Sequence, residues 1–186
     1  MGELQCKGIM LRNRVAMIEE LFGPPRMEAI AARLQTALAD GLRYGTVLSG
    51  GWYPLAWLRD LHDAARDELG RGSELARELG YRGAMKNLRT VHRIFLSIMS
   101  PAGVLERSQR LFNAYFDGGV FEVASSTPRS ALARLHDCWG FDRNVFEAVA
   151  GTSQAALELC RASDIAVELE LDPRDSSAAT IHATWR

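Results

Sequence analysis

Four histidines are the residues best suited to acid–base or ligand chemistry near neutral pH, and their neighbours decide what each is equipped to do. His92 has the most suggestive setting. Met85, Leu88, His92, Phe95 and Met99 alternate three and four residues apart, which puts an imidazole on the apolar stripe of a helix. From there it could reach a pocket and ligate a haem or another metal, or bond to a carbonyl inside a core; no second ligand motif assists it, and the core reading is preferred. His62, in "LRDLHDAARDELG", lacks an HExxH pattern. Asp60, Asp63 and Asp67 interleave there with Arg59 and Arg66, and the segment reads as a solvated helix face. His182 should share the outward face of a C-terminal hairpin with Glu168 and Glu170, an arrangement suited to cross-strand charge pairing.

Other chemistries find less support. No serine sits in a GxSxG context, and neither Gly50-Gly51 nor Gly118-Gly119 has the pattern of a phosphate loop. Arg107, Arg110, Arg129 and Arg134 could converge on an anion, but lysine occurs only at Lys7 and Lys86, so arginine is simply the common cation of this chain. Cys6, Cys138 and Cys160 are far apart and form neither a disulfide framework nor a zinc knuckle, which predicts a reducing cytoplasm. A net charge of -1 argues against a nucleic-acid partner, and no apolar run approaches the roughly 20 residues of a membrane span. No catalytic residues, metal or cofactor are predicted from the residues.

The elements that must carry these residues follow from periodicity. Gly8 to Phe22 reads as a helix stopped by Gly23, Pro24 and Pro25, and a second is expected from about Met27 to Ala39, ended by Asp40-Gly41. A third continues from Pro54 to Gly70. Ser73 can cap a fourth, which Gly80 and Gly83 are expected to bend, and Ser100-Pro101 opens another that runs to Tyr115. After Gly118-Gly119 the period changes. "VFEVAS" and "ALARLHDC" predict a hairpin, Asn144 to Arg161 a helix interrupted or capped at Gly151, and "DIAVELELD" with "AATIHATW" a closing hairpin. The expected fold is one α+β domain over residues 1–186, with a helix-rich N-terminal two-thirds packed on a small antiparallel sheet formed mainly by the C-terminal third.

The stretch "SGGWYPLAW" holds two of the four tryptophans. With Pro54 as first helical residue, Trp52 precedes the cap and Trp57 follows within the first turn, the spacing of a hydrophobic staple rather than an aromatic ligand cage. Residues expected to line an internal pocket are Leu88, His92, Phe95, Leu111, Tyr115 and Trp139, which combine apolar surface with a few polar tips.

The strings "WYPLAWLRDLHDAA", "ELGYRGAMKNL", "MSPAGVLERSQRLFNAYFDGGVFEV" and "AALELCRASDIAVELELD" with "ATIHATW" resemble, over nearly the whole chain, a family of uncharacterised proteins known mainly from myxobacteria. The second half is also similar to a wider fold group: haem-based nitric-oxide sensor domains, the vinyl-reductase-type small-molecule-binding domain and Bet3-type subunits of the TRAPP tethering complex. That resemblance implies helices against an antiparallel sheet enclosing an apolar ligand. Haem sensors carry a Tyr-x-Ser-x-Arg signature, whereas the nearest string here, Glu106, Ser108 and Arg110, has no tyrosine. The cysteine pair frequent in the last hairpin of vinyl-reductase-type domains is likewise missing between Leu171 and Arg186. The implied function is a non-enzymatic sensory or interaction domain for an apolar small molecule. A haem- or metal-dependent sensor using His92 and a ligand-free homodimeric scaffold are the alternatives, with a homodimer or a partner protein expected.

Overall fold

A computed structural model describes residues 4–91, 100–105 and 107–186, and has the α+β architecture that the periodicity predicts. Its first element is a three-residue strand, β1 (Gln5–Lys7), which runs into α1 (Gly8–Phe22). Leu11, Arg14 and Ile18 are buried at helical spacing along α1, so one side faces the core. Gly23 turns the chain at φ 85°, and Pro24 and Pro25 take the first places of α2 (Pro24–Ala31), where a missing N–H breaks no helical bond.

The expected single helix to Ala39 is in fact two. After α2 comes α3 (Thr36–Arg43), with Asp40 and Gly41 inside it rather than ending it. An unbroken helix would set Ile30 and Leu38 about 80° apart around its axis. The break lets both side chains bury completely.

A second short strand, β2 (Trp52–Pro54), pairs antiparallel with β1, and Cys6 lies opposite Tyr53. Three residues are too few to show a period, which is why neither strand was expected. From β2 the chain enters α4 (Leu55–Leu69), closed by Gly70 in the left-handed conformation. Then comes α5 (Glu74–Val91). The helix expected from Pro101 to Tyr115 is two short ones, α6 (Pro101–Leu105) and α7 (Ser108–Asn113), because Arg107 leaves helical geometry at φ -105°, ψ 0°.

Both predicted hairpins form. They are β3 (Val120–Thr127) with β4 (Ser130–His136), and β5 (Ala166–Leu171) with β6 (Ala179–Thr184). Pairing of β4 with β6 joins them into one antiparallel sheet of order β3-β4-β6-β5. The inward residues are Ala131, Ala133 and Leu135 of β4 and Ala179, Ile181 and Ala183 of β6, while His182 faces outward opposite Glu168. Four of those six are alanines, so the sheet offers the helices a shallow floor.

Between the hairpins runs α8 (Arg143–Leu159), started by Asp142, whose carboxylate accepts from the Val145 N–H at 2.9 Å. It packs on β5 and β6 and lies alongside α5. α5 runs through Gly80 and Gly83, and α8 through Gly151, without interruption. A Cβ on Gly80 would stand 2.3 Å from the Ala148 carbonyl oxygen, and one on Gly151 would stand 2.1 Å from that of Arg77. Backbone therefore meets backbone, and glycine is what permits it. Cys6, Cys138 and Cys160 are buried free thiols.

Candidate functional site: an apolar cavity with one buried guanidinium

Two charged or polar side chains sit on helix faces that periodicity assigns to the core. Arg14 follows Leu11 and precedes Ile18 on α1, and only 4% of it is exposed. His62 shares α4 with Leu58 and Ala65 and is 2% exposed, which overturns the reading of that segment as solvated at this position. Asp63, Arg66 and Asp67 do form the expected surface pairs, with Arg66 3.1 Å from Asp63 and 3.0 Å from Asp67. His62 instead turns inward, with the leucines.

The two buried residues meet. Arg14 Nε donates to His62 Nε2 at 3.1 Å, and Nη1 donates to the Leu79 carbonyl at 3.0 Å. An imidazole nitrogen that accepts carries no proton, so the ring is neutral with its hydrogen on Nδ1. Burial, and then the Arg14 charge, hold the His62 pKa well below its ordinary value. Nδ1 is buried and has no partner among the described residues. Burial also lowers Arg14, to about 10, which leaves it cationic at neutral pH. Gly83 makes room for it: a Cβ there would come within 3.1 Å of Arg14 Nη1.

Arg14 forms part of the wall of a cavity of about 140 Å³ between the helices and the sheet. From the first half of the chain come Met10, Asn13 and Arg14 of α1 and Gly80, Gly83 and Ala84 of α5. The segment from α6 to β3 adds Val104, Leu105, Leu111, Phe112, Tyr115 and Phe121. The sheet contributes Ala131, Ala133, Ile181 and Ala183, and α8 contributes Val149, Thr152, Ser153 and Ala156. Two hydroxyls on this wall are already engaged: Thr152 donates to the Ala148 carbonyl at 2.9 Å, and Ser153 donates to that of Val149 at 3.0 Å. Small side chains on both the helices and the floor create the space.

Of the residues predicted to line a pocket, the structure brings Leu111 and Tyr115 to this wall. Leu88 lies on α5, and its side chain, like all of His92 and Phe95, lies outside the described residues. Trp139 is not at the cavity. It is half exposed, because the turn after β4 passes through Asp137 and Gly140 at positive φ and carries the indole outward. Phe141 takes the inward place, packing with Phe112, Phe116 and Phe146 at centroid distances of 4.8 to 6.0 Å.

The WYP segment is also arranged differently in detail. Pro54 is the cap residue and Leu55 opens α4, so the aromatic stack is made by Tyr53 with Trp57, 5.4 Å between centroids. Trp52 lies instead under Lys7 Nζ at 3.9 Å. Arg14 and His62 were missed by sequence reasoning, although a signal was present: each is a polar residue at a stripe position between leucines or isoleucine.

Comparisons with known proteins bear on the fold. No protein-family model and no curated protein matches the chain. Among solved structures, an iron(II) unliganded H-NOX protein from K. algicida is similar at TM-score 0.75 and 14% identity, over 97% of this chain and 96% of that one. A mutant of the T. tengcongensis H-NOX protein is similar at TM-score 0.71 and 11% identity, over 97% of both chains. An oxygen-binding H-NOX domain related to soluble guanylate cyclases is similar at TM-score 0.68 and 10% identity, over 97% of this chain and 95% of that one. At such identities the likeness establishes a shared fold.

Proposed function

We propose that this chain is a non-enzymatic sensory or interaction domain that takes a small, largely apolar molecule into the cavity between its helices and its sheet. The cavity itself carries the reading. Its volume of about 140 Å³ is close to that of an engineered apolar cavity of about 150 Å³ that takes up benzene, and the hydroxyls of Thr152 and Ser153 are satisfied within α8. Among the described residues, no group of three His, Cys, Asp or Glu side chains is placed to hold a metal ion, and no helix is long and apolar enough to cross a membrane. The quoted strings that resemble the myxobacterial family support a role shared with that family.

The structural neighbours favour a second reading, in which the ligand is haem. Haem belongs to the H-NOX family they represent, and the two unmutated neighbours are described with ferrous iron and with oxygen. His92, outside the described residues, is then the residue that would hold the iron. A haem needs that ligand, room for a porphyrin and partners for two propionates. The described residues meet these needs poorly. The described wall holds no histidine or cysteine, and its one cation already donates to His62 and Leu79. The apolar wall suits a porphyrin face, but the described residues do not fit the group as a whole.

Native mass spectrometry with an absorption spectrum of the same freshly purified protein decides between these readings. Mass that is lost on denaturation, from a colourless sample, supports the small apolar ligand. A Soret band with the mass of haem establishes the second reading, which a His92→Ala variant should then abolish. A colourless dimer of bare chains, refractory to small apolar probes, would leave the homodimeric scaffold.

A further inference from the structure

Among the described residues, Arg14 is a buried cation without a counter-ion. No carboxylate among the described residues lies within ion-pairing distance of it, and both hydrogen bonds it makes go to neutral acceptors, His62 Nε2 and the Leu79 carbonyl. Its Nη2 donates to nothing among the described residues and Nη1 uses one hydrogen of two, so three of the five N–H groups of a buried side chain remain unused there. Burying a charge in this way is unfavourable unless something pairs with it. The rest of the described wall offers no carboxylate either, since its other polar side chains are amides, hydroxyls and the phenol of Tyr115.

We infer that Arg14 anchors the carboxylate of a small apolar acid whose body fills the cavity, a molecule about the size of a benzene ring with one acidic arm. His62 and Leu79 act as positioning partners: they hold Nε and Nη1, which fixes the plane of the guanidinium and leaves the Nη2 edge for the incoming oxygen. Arginine suits this task because its charge is permanent and its donors lie in a rigid fork. The apolar wall sets the other half of the selection. Thr152 and Ser153 donate to their own helix, so those two hydroxyls give no hydrogen to a further polar group of the ligand.

The inference rests on the apolar-ligand reading of the cavity and names its ligand class, so the test separates the two. Benzoate and its neutral counterpart benzamide are titrated into the wild-type protein as purified, by calorimetry and ligand-observed NMR. Benzoate should bind one-to-one and at least about tenfold more tightly than benzamide, the margin of a charge-assisted bond in a dry site. Arg14→Met should bring benzoate down to the benzamide level and leave benzamide unchanged. Arg14→Lys, which keeps the charge without the fork, should retain part of the preference. Equal binding of the two compounds to wild type overturns the anchor and leaves the cavity reading standing, and this comparison needs no variant to fold. Failure of both to bind overturns the anchor and the cavity reading together, as does a Soret band in the same sample.

Discussion

The helices α5 and α8, which meet backbone to backbone, are also walls of the cavity. Along their seam Gly80 and Gly151 bring carbonyl against backbone, whereas beside it Gly83, Ala84 and Ala156 line the cavity together with Ala131, Ala133 and Ala183 of the sheet. The same kind of residue closes space in one place and opens it in the other. What differs is the opposite surface. A helix can approach a helix until backbones meet, whereas between helix and sheet small residues on both surfaces leave volume.

The seam side predicts the largest effect. Gly80→Ala forces a methyl group against the Ala148 backbone and should destabilise by about 3 kcal/mol, lowering Tm by roughly 6–12 °C in a circular-dichroism melt. A shift under about 2 °C would show that the helices can part cheaply and that the contrast with the cavity is one of degree.

On the cavity side, the next largest effect comes from acid. His62 is neutral in the folded protein and takes up a proton in the unfolded chain near pH 6.5. Below that pH the unfolded state binds more protons, so stability is complete above about 6.5 and falls on acidification by at most about 1.4 kcal/mol per unit. His62→Gln keeps an acceptor for Arg14 Nε and should flatten that limb between pH 6.5 and 5. Identical acid limbs in wild type and variant would mean that other groups set the slope.

Filling the gap should have a smaller effect of opposite sign. Ala133→Val adds volume at a strand position suited to a branched side chain and is expected to raise Tm by roughly 2–4 °C, about 1 kcal/mol, while reducing uptake of small apolar probes. A lower Tm would show the floor to be already well packed. Smallest is the difference at the WYP entrance. Trp57→Ala, which breaks the stack with Tyr53, should cost about 1 kcal/mol, whereas Trp52→Ala should stay below about 0.5 kcal/mol. The reverse order in urea titrations would restore Trp52 as the residue that fixes the helix entry.

Much of the fold was legible because long elements carry a period. The α1 stripe, the α4 helix with its Gly70 stop and the clean alternation of β5 and β6 all follow from spacing. What failed was punctuation. Glycine inside α5 and α8 reads locally as a bend, yet its role is set by a carbonyl on another helix, at Ala148 or Arg77, that no local window contains. The breaks at 32–35 and at Arg107 have neither glycine nor proline to announce them. The cavity was half legible: Leu111 and Tyr115 follow from their helical stripe, but the alanines that make room pass as ordinary core residues. Arg14 and His62 were discounted because arginine is abundant and because the aspartates around His62 suggested solvent.

The three buried thiols give this molecule an internal clock. Desolvation raises Cys6 and Cys138 to about 12 and Cys160 to about 11, so an alkylating reagent at neutral pH finds almost no thiolate while the surroundings stay closed. Each sits in a different neighbourhood: Cys6 in the β1–β2 pair, Cys138 in the turn after β4, and Cys160 at the end of α8 beside Ala84 and Val104. A single labelling time course, read by peptide mass, therefore ranks how often the strand pair, the sheet edge and the helix seam breathe, with no probe introduced and no residue changed.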